Sequence, residues 1–392
     1  MIILAGKNNI AVHALNVLVE KVGVDNLRVI VNRTDDGVDS WQLSLKKRTL
    51  ELGVQCIELE EAEFLADVFI SLEFDRIVKP GNFKNSGALY NIHFSELPRY
   101  KGMYTSIWPI LNGDKHSAVT LHRIDAGIDT GEVIDQVSFE ITEADSSKDL
   151  YLKYISSAII VFDNNILGLI EGVVDSTPQA VEGSTYYSKA TLSFSSLELD
   201  LKQTAWQVGR QIRAYSFRNY QLPKLNGTHY CNFLVLKTTS AFKPGYVLAD
   251  SEEYTDFSTI DYDVRLYKDH IDKVFALAGS DNWIDLKNYE NNIVNIDDRN
   301  QKSWTLLMVA AYSGNLALAE YLLVKGAAVN AQNYKGTTVL MYAKDFALKN
   351  NDCALFDMLI SRGADIGIAD HTGKTLRNYI TSSEAKILGI DE

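Results

Sequence analysis

The sequence has few cysteines and a deficit of basic residues, and both shortages exclude classes of protein. Among 392 residues there are three cysteines, Cys56, Cys231 and Cys353, which lie far apart without a Cys-x-x-Cys spacing. Such cysteines neither form the disulfide framework of a small secreted fold nor bind zinc as a zinc ribbon, and they suit a reducing cytoplasm. The 38 Lys and Arg residues face 51 Asp and Glu residues, which gives a formal net charge of -13. This balance argues against a protein that coats nucleic acid or an anionic membrane.

Long apolar runs are also missing. Stretches of aliphatic and aromatic residues are short, as at residues 158–162, whereas a membrane-spanning helix needs about 20 apolar residues. Residues 1–6 are apolar, but they are accompanied by neither a basic segment nor a cleavage site of small residues. We therefore expect no membrane span, no secretory signal and a cytoplasmic location.

What is present is the composition of an ordinary globular chain. The hydrophobic share is 46% and the charged share 23%, both typical of soluble folded proteins. A chain of 392 residues exceeds what one hydrophobic core usually organises, so we expect two or three folded units.

In the first part of the chain, short apolar segments alternate with helical periodicity. Strands are predicted at residues 2–5, 27–32, 54–59, 67–72, 88–93, 118–124 and 133–141. Helices are predicted from a cap at Asn8 or Asn9 to Val19, at residues 41–52 and at residues 147–171. This alternation is typical of an α/β unit with a Rossmann-like, mainly parallel sheet. Ligands of such sheets bind beyond the carboxyl ends of the strands.

The middle of the chain has a different character. One amphipathic helix is predicted at residues 201–215. Strands are predicted at residues 228–238, 246–249 and 258–267, and Gly227, Pro244 and Gly245 supply the turns. We expect a small β-rich appendage here.

The last third contains a repeat. Residues 303–311 read SWTLLMVAA, and residues 336–344, which lie 33 positions later, read GTTVLMYAK. A weaker copy, GKTL, begins at residue 373, and the longer interval before it indicates a short insertion near residues 349–352. A 33-residue period with Gly-x-Thr-x-Leu resembles ankyrin repeats, which are all-α. We predict three domains at residues 1–200, 201–267 and 268–392.

Two segments carry groups suited to catalysis. Residues 91–102 read NIHFSELPRYKG, and residues 122–134 read HRIDAGIDTGEVI. Residues two apart in a strand point to the same side, so Asn91 and His93 should face one site. Asp129 lies in a glycine-bounded loop that could reach His93. Together they supply an acid/base and a stabiliser for a developing oxyanion.

Three alternative interpretations of these residues are weaker. Asn-x-His at a strand end is often structural. Asp129-Thr-Gly resembles the aspartic protease signature, but it occurs once and follows Ala-Gly-Ile. His116 and His122 could join His93 as metal ligands, but no ligand spacing supports this. We expect no metal.

Taken in this order, the two segments resemble the formyltransferase family that uses 10-formyltetrahydrofolate. Its hallmark is Asn-x-His, then Ser-x-Leu-Pro-x-x-x-Gly, then Gly-hydrophobic-Asp-x-Gly. The matching residues are Asn91, His93, Ser95, Leu97, Pro98, Gly102, Gly127, Ile128, Asp129 and Gly131.

The resemblance implies an N-formyltransferase with catalytic Asn91, His93 and Asp129. His93 acts as a base or as a charged stabiliser, Asp129 orients its imidazole, and Asn91 donates to the formyl oxygen. The co-substrate is 10-formyltetrahydrofolate, whose pterin lies between residues 69–78 and 125–129. The residues expected at this co-substrate site are Leu72, Ile77, Val78 and Asp125.

Residues 69–78 and 212–221 look like the branch of the family that acts on nucleotide sugars. Tyr187, Phe217 and Tyr220 are the expected contacts of a thymine ring. Candidates to hold the diphosphate or add polar contacts are Asn9, Arg76, Lys189, Arg213 and Arg218. The net negative charge of the chain argues against the branch of the family that acts on tRNA. The implied acceptor is a dTDP-linked amino-dideoxyhexose for bacterial surface polysaccharide, with dTDP-3-amino-3,6-dideoxy-D-glucose expected, and the branch commonly forms homodimers.

Trp304 occupies the variable position of the first ankyrin hairpin, which is usually exposed and used for contacts. We predict that it stacks on a ligand ring or a partner side chain. Packing against the enzyme body is the alternative. Two rivals to the sugar enzyme stay open, a binding protein with a vestigial enzyme domain and a methionyl-tRNA formyltransferase.

Overall fold

The fold is described from a computed structural model, which covers residues 1–390. The chain forms two compact units. The first comprises Met1–His229, Lys237–Gly245 and Ser258–Asp263. The second comprises Tyr230–Leu236, Tyr246–Phe257 and the chain from residue 264 onward. The three-domain division made from the sequence cuts the chain at other positions and stays a prediction.

The strands are β1 Ile2–Gly6, β2 Leu27–Val31, β3 Gln55–Cys56, β4 Val68–Leu72, β5 Leu89–His93, β6 Lys101–Gly102, β7 His116–Arg123, β8 Val133–Glu140, β9 Tyr186–Tyr187, β10 Lys224–Leu225, β11 Thr228–Val235, β12 Val247–Asp250, β13 Tyr254–Phe257 and β14 Val264–Lys268. The α-helices are α1 Asn8–Val22, α2 Leu45–Glu51, α3 Leu59–Leu65, α4 Trp108–Asn112, α5 Ser147–Glu171, α6 Ala205–Tyr215, α7 Ile271–Ala278, α8 Leu306–Ser313, α9 Leu316–Val324, α10 Val339–Asn350, α11 Ala354–Ser361 and α12 Ser382–Ile387. Short 3-10 helices cover Val24–Asn26, Pro80–Asn82, Ser86–Ala88, Lys189–Thr191, Trp283–Asn292 and Leu376–Tyr379.

A seven-stranded sheet organises the first unit, in the order β3-β2-β1-β4-β5-β7-β8. The pairings from β3 to β5 are parallel, and β7 and β8 add an antiparallel edge. The predicted mainly parallel α/β sheet is therefore confirmed. Of the strand predicted at residues 54–59, only Gln55 and Cys56 are a strand, and the rest of the prediction is wrong. The chain enters α3 at Leu59, where Glu60 and Glu61 in the first turn favour a helix.

The order of the strands reverses between β1 and β4. From β1 the chain proceeds outward to β2 and β3, and from β4 it proceeds the other way to β5. The carboxyl ends of β1 and β4 thus flank the crevice in which ligands of open α/β sheets bind. Gly6 is required there, because a Cβ atom on it would lie 1.9 Å from the carbonyl oxygen of Leu72.

The start of α1 differs from the sequence expectation. Lys7 is the N-cap residue and makes no side-chain cap. Asn8 is the first residue of α1 but has a left-handed backbone, and its amide turns to Glu73. The side-chain oxygen of Asn9 instead accepts a hydrogen bond from the backbone N–H of Leu43.

Helix α5 agrees with its predicted bounds of 147–171. Ser146 and Asp149 form a capping box at its start, and Gly172 ends it in the left-handed conformation. The helix is long and apolar enough to cross a membrane by length and composition. It packs against β7 and β8 and buries Tyr154 and Phe162 completely, which identifies it as a core helix.

The second unit contains an antiparallel sheet in the order β11-β14-β13-β12, which is the predicted β-rich appendage. Two helix pairs follow, α8 with α9 and α10 with α11. Thr305 and Thr338 cap α8 and α10 in the same way, since each side chain accepts the backbone N–H three residues later. These threonines lie 33 residues apart, so the repeat read from the sequence is also a structural repeat.

Candidate active site

The candidate site lies at the carboxyl end of β5, where the first unit turns its sheet from parallel to antiparallel. Asn91 and His93 are on this strand, and Asn91 pairs directly with His122 of β7. Asp129 lies in the loop that joins β7 to β8, with a left-handed backbone of φ 55°. These four side chains line one cavity.

The imidazole of His93 is fixed at both nitrogens. Its Nε2 lies 2.9 Å from the carbonyl oxygen of Tyr100, and because a carbonyl can only accept, Nε2 carries the proton. Its Nδ1 lies 3.6 Å from Oδ2 of Asp129. The same carboxylate oxygen accepts the backbone N–H of Gly102 at 2.8 Å. Nδ1 is therefore the atom that can take a proton, and Asp129 would then face the resulting cation.

His122 has the opposite tautomer. Its Nδ1 lies 2.7 Å from the carbonyl oxygen of Arg123 and donates to it, so Nε2 holds a lone pair. Burial is the main cause that lowers the pKa of His122 to about 4, so the ring is neutral at pH 7. Nε2 accepts a hydrogen bond from Nδ2 of Asn91 at 3.1 Å. This contact fixes which way the amide of Asn91 faces and leaves its second N–H for the cavity.

The loop of Asp129 is held by a residue that the sequence did not single out. The side-chain amide of Gln179 donates to the carbonyl oxygens of Asp129 at 2.9 Å and of Gly131 at 2.7 Å. Inside the loop, Oδ1 of Asp125 accepts the backbone N–H of Gly127 and the hydroxyl of Thr130. No local signal in the sequence identifies Gln179, which comes from the segment after α5, 50 residues away from Asp129.

The cavity has a volume of about 900 Å³. It brings together ten of the residues predicted from the sequence, namely Asn91, His93, Asp129, Ile77, Val78, Asp125, Arg76, Lys189, Phe217 and Tyr220. The lining includes the apolar side chains of Ile77 and Ile128. They remain 71% and 42% exposed, so they offer apolar surface that a flat ring could cover. Arg76 adds a buried Nε without a partner. Within residues 1–390, no group of three His, Cys, Asp or Glu side chains could hold a metal ion.

Five predicted residues lie outside the lining of this cavity. Leu72 is buried in β4, next to the lining residues Ser71 and Glu73. The others are Asn9, Tyr187, Arg213 and Arg218. In place of Asn9 and Tyr187, their neighbours Asn8 and Tyr186 reach the cavity.

Two of these five have contacts that explain their position. The ring of Tyr187 stacks on Trp108 at 3.9 Å, so the structure does not bring it beside Phe217 and Tyr220. Arg213 donates to the carbonyl oxygens of Thr142 and Asp145. Burial lowers the pKa of its guanidinium, and its two hydrogen bonds tie α6 to the segment before α5.

The cavity lining also carries a polar cluster that sequence reasoning missed. The hydroxyl of Tyr151 donates to the carboxylate of Glu73, with oxygens at 2.9 and 2.8 Å. Nδ2 of Asn8 donates to the same carboxylate at 3.1 Å. Burial is the main cause that raises the pKa of Glu73 to about 7. Phe217 packs on Tyr151 at 5.6 Å and on Tyr220 at 4.9 Å, so this cluster adjoins the predicted base-binding rings.

Trp304 lies in the second unit and forms an aromatic cluster there. Its ring centre is 4.6 Å from that of Tyr342 and 5.1 Å from that of Tyr312. Tyr312 is 59% exposed, and the ammonium group of Lys302 lies 5.9 Å from the Trp304 ring. The cluster offers aromatic faces and one cation at the surface.

Comparison with known proteins agrees with both parts of the chain. Residues 23–161 match the family model described as formyl transferase, and residues 269–370 match the model of ankyrin repeats in three copies. GDP-perosamine N-formyltransferase of Brucella melitensis is 28% identical over 204 residues, which cover 50% of this chain and 76% of that protein.

Two solved structures resemble the chain over a longer span. One is WlaRD, a sugar 3N-formyltransferase with dTDP and 5-N-formyl-tetrahydrofolate, at 39% identity and a TM-score of 0.62, over 68% of this chain and 97% of that one. The other is the N-formyltransferase of Helicobacter canadensis with folinic acid and dTDP-3-aminofucose, also at 39% identity and TM-score 0.62, over 68% and 98%. The chain therefore belongs to the sugar N-formyltransferases of the formyltransferase family, and it carries ankyrin repeats in its C-terminal third.

Proposed function

We propose that this enzyme transfers the formyl group of 10-formyltetrahydrofolate to the amine of a nucleotide-linked amino sugar. The observation that carries the proposal is the placement of Asn91, His93 and Asp129 in one cavity. Its two sides suit the two substrates, an apolar side at Ile77 and Ile128 for the pterin and an aromatic side for a nucleotide. The WlaRD structure, which contains dTDP and a formyl-tetrahydrofolate, supports this pairing.

The residues of the site suggest how the proton moves. As the amine attacks the formyl carbon, Nδ1 of His93 takes a proton from it, and the carboxylate of Asp129 stabilises the imidazolium. The free N–H of Asn91 donates to the oxygen that becomes negative. His93 then returns the proton to the nitrogen that leaves the formyl carbon. In this assignment His93 is the base, and its charged form is the stabiliser that follows.

For the acceptor we propose dTDP-3-amino-3,6-dideoxy-D-glucose, as expected from the sequence. The dTDP and the 3-amino sugar in the two similar structures support a dTDP-linked 3-amino acceptor. We also propose a cytoplasmic homodimer that serves surface polysaccharide synthesis. Phe217, Tyr220, Arg76 and Lys189 are the proposed contacts of the nucleotide, and Ile77, Val78 and Asp125 those of the pterin.

The test is a formylation assay with dTDP sugars that differ only in the position of the amine, read by mass spectrometry as a formyl gain. We expect turnover with the 3-amino sugar in the absence of RNA, and loss of turnover in His93→Asn. Activity only with aminoacylated tRNA would favour the methionyl-tRNA rival. Equal, negligible turnover in the wild type and in His93→Asn would support the vestigial domain.

A second candidate function concerns the ankyrin repeats. We propose that Trp304, with Tyr312 and Tyr342, stacks on a ligand ring or a partner side chain, because aromatic faces beside Lys302 suit an aromatic anion. Trp304→Ala should remove one binding event when dTDP is titrated by calorimetry. An unchanged isotherm for dTDP, nucleotide sugars and candidate partners would argue for a packing role.

A further inference from the structure

Two residues at the crevice between β1 and β4 have a left-handed backbone although neither is glycine. Asn8 has φ 66° and Glu73 has φ 54°. Such conformations are unfavourable for residues with a Cβ atom, and they cluster where a fold aims side chains at a ligand. The conformation of Glu73 is held from outside, because Nδ2 of Asn32 donates to its carbonyl oxygen at 2.8 Å.

The carboxylate of Glu73 has acceptor capacity to spare. An ionised carboxylate offers about four lone-pair positions. Tyr151 and Asn8 provide one donor each, and Tyr151 is itself fixed by a hydrogen bond from the amide of Gln42 at 2.7 Å. Glu73 also lines the cavity. The remaining acceptor positions therefore suit a hydrogen-bond donor on a bound ligand.

Glu73 lines the same cavity as the reacting centre and the aromatic side chains. Leu72 pairs with Ile92 in the parallel sheet, and Glu73 and His93 are the residues that follow this pair in the two chains. The Glu73 side chain contacts Tyr151, which packs on Phe217. If the amine is at His93 and the base on the aromatic side, the sugar ring occupies the space between them.

We propose that Glu73, held by Tyr151 and Asn8, accepts a hydrogen bond from the C4 hydroxyl next to the C3 amine of the acceptor sugar, and so selects acceptors that carry this hydroxyl. This inference rests on the proposed function. The bond would hold the pyranose with its amine towards His93. A sugar without that hydroxyl would leave the remaining acceptor positions of the carboxylate without a donor in a largely buried position.

The test is a comparison of two acceptors in two forms of the full-length enzyme. The acceptors are dTDP-3-amino-3,6-dideoxy-D-glucose and its 4-deoxy analogue, and the measured quantity is the ratio of their kcat/KM values. In the wild type we expect a ratio of about 10 to 100 in favour of the hydroxylated sugar. In Glu73→Met, which keeps the length but lacks the acceptor, the ratio should fall below about 3.

Two further variants make the comparison specific. Tyr151→Phe keeps the ring but removes the hydroxyl that holds Glu73, so it should lower the ratio in part. Tyr151→Phe also provides the test of the proposal if Glu73→Met fails to fold. Glu61 is an exposed residue in the first turn of α3, and Glu61→Met should leave the ratio as in the wild type. KM for 10-formyltetrahydrofolate should stay unchanged in all three variants.

The outcomes separate this inference from the function on which it rests. No formylation of any nucleotide amino sugar by the wild type would refute the proposed function. A wild-type ratio near 1 in an active enzyme would refute only the role of Glu73. A high kcat/KM ratio that persists in both Glu73→Met and Tyr151→Phe would also refute the role of Glu73.

Discussion

The role of Asp129 gives the sharpest prediction, and Asp129→Asn is the change that tests it. The variant keeps the size of the side chain and one oxygen, which can still accept the N–H of Gly102. It removes the negative charge 3.6 Å from Nδ1 of His93. The oxygen that accepts from Gly102 is also the one that faces Nδ1, so the variant leaves a neutral amide oxygen where the charged oxygen was.

The separation of the two groups sets the expected size of the effect. The side chains of His93 and Asp129 are 10% and 13% exposed, so water screens them little. At 3.6 Å and an effective dielectric constant of about 20, a full ion pair is worth about 5 kcal/mol. This energy is gained only when His93 is protonated, so its loss raises the barrier. Because 1.4 kcal/mol corresponds to tenfold, kcat should fall by about 10³-fold.

The assay is steady-state formylation with both substrates saturating, together with thermal unfolding of each variant. We expect an unchanged melting temperature and KM values within about threefold of the wild type, because the loss acts on the proton transfer. A matched control is Asp135→Asn on β8, whose carboxylate accepts from Asn165 and does not line the cavity. It should keep wild-type kcat. A folded Asp129→Asn enzyme with kcat within tenfold of the wild type would refute the ion-pair argument.

Two other side chains give predictions of different kinds. His122→Phe should lower kcat by about 10- to 100-fold, because the amide of Asn91 loses the acceptor that orients it. His122→Gln, whose side-chain oxygen can accept, should restore part of the rate. Equal rates in the two variants would contradict this role of His122. The raised pKa of Glu73, about 7 against an ordinary 4.5, means that the folded state binds more protons in this window, so stability falls as pH rises from 4.5 to 7. Glu73→Gln should therefore be more stable than the wild type by up to about 3 kcal/mol at pH 8 and show no gain at pH 4, as measured by denaturant unfolding. A pH-independent difference would point to packing instead.

Much of the fold was predictable because its signals are local. The capping box of Ser146 and Asp149 and the terminal Gly172 fixed both ends of α5. Asn91 and His93 could be paired from their spacing of two in a strand. The repeat was readable from residues 303 and 336 because each ankyrin unit uses the same threonine cap.

The remaining features depend on contacts between distant parts of the chain. The carboxylate of Glu73 meets Tyr151, which lies 78 residues away, and no pattern around residue 73 shows that β1 and β4 become neighbours. Tyr187 was expected beside Phe217, but its ring stacks on Trp108 in the tertiary fold. For the same reason, Asn9 was expected at the substrate site, whereas its neighbour Asn8 lines the cavity.

The two buried imidazoles illustrate how the backbone assigns chemical roles within the site. Each ring donates to one carbonyl oxygen, His93 through Nε2 to Tyr100 and His122 through Nδ1 to Arg123. The lone pair is therefore on Nδ1 in His93, facing Asp129, and on Nε2 in His122, facing the amide of Asn91. Both rings face the carboxylate of Asp129, at 3.6 and 3.7 Å, but only protonation of His122 would break the contact with Asn91. In the proposed mechanism, two identical side chains thus serve as a base and a positioning group because two backbone carbonyls select different tautomers.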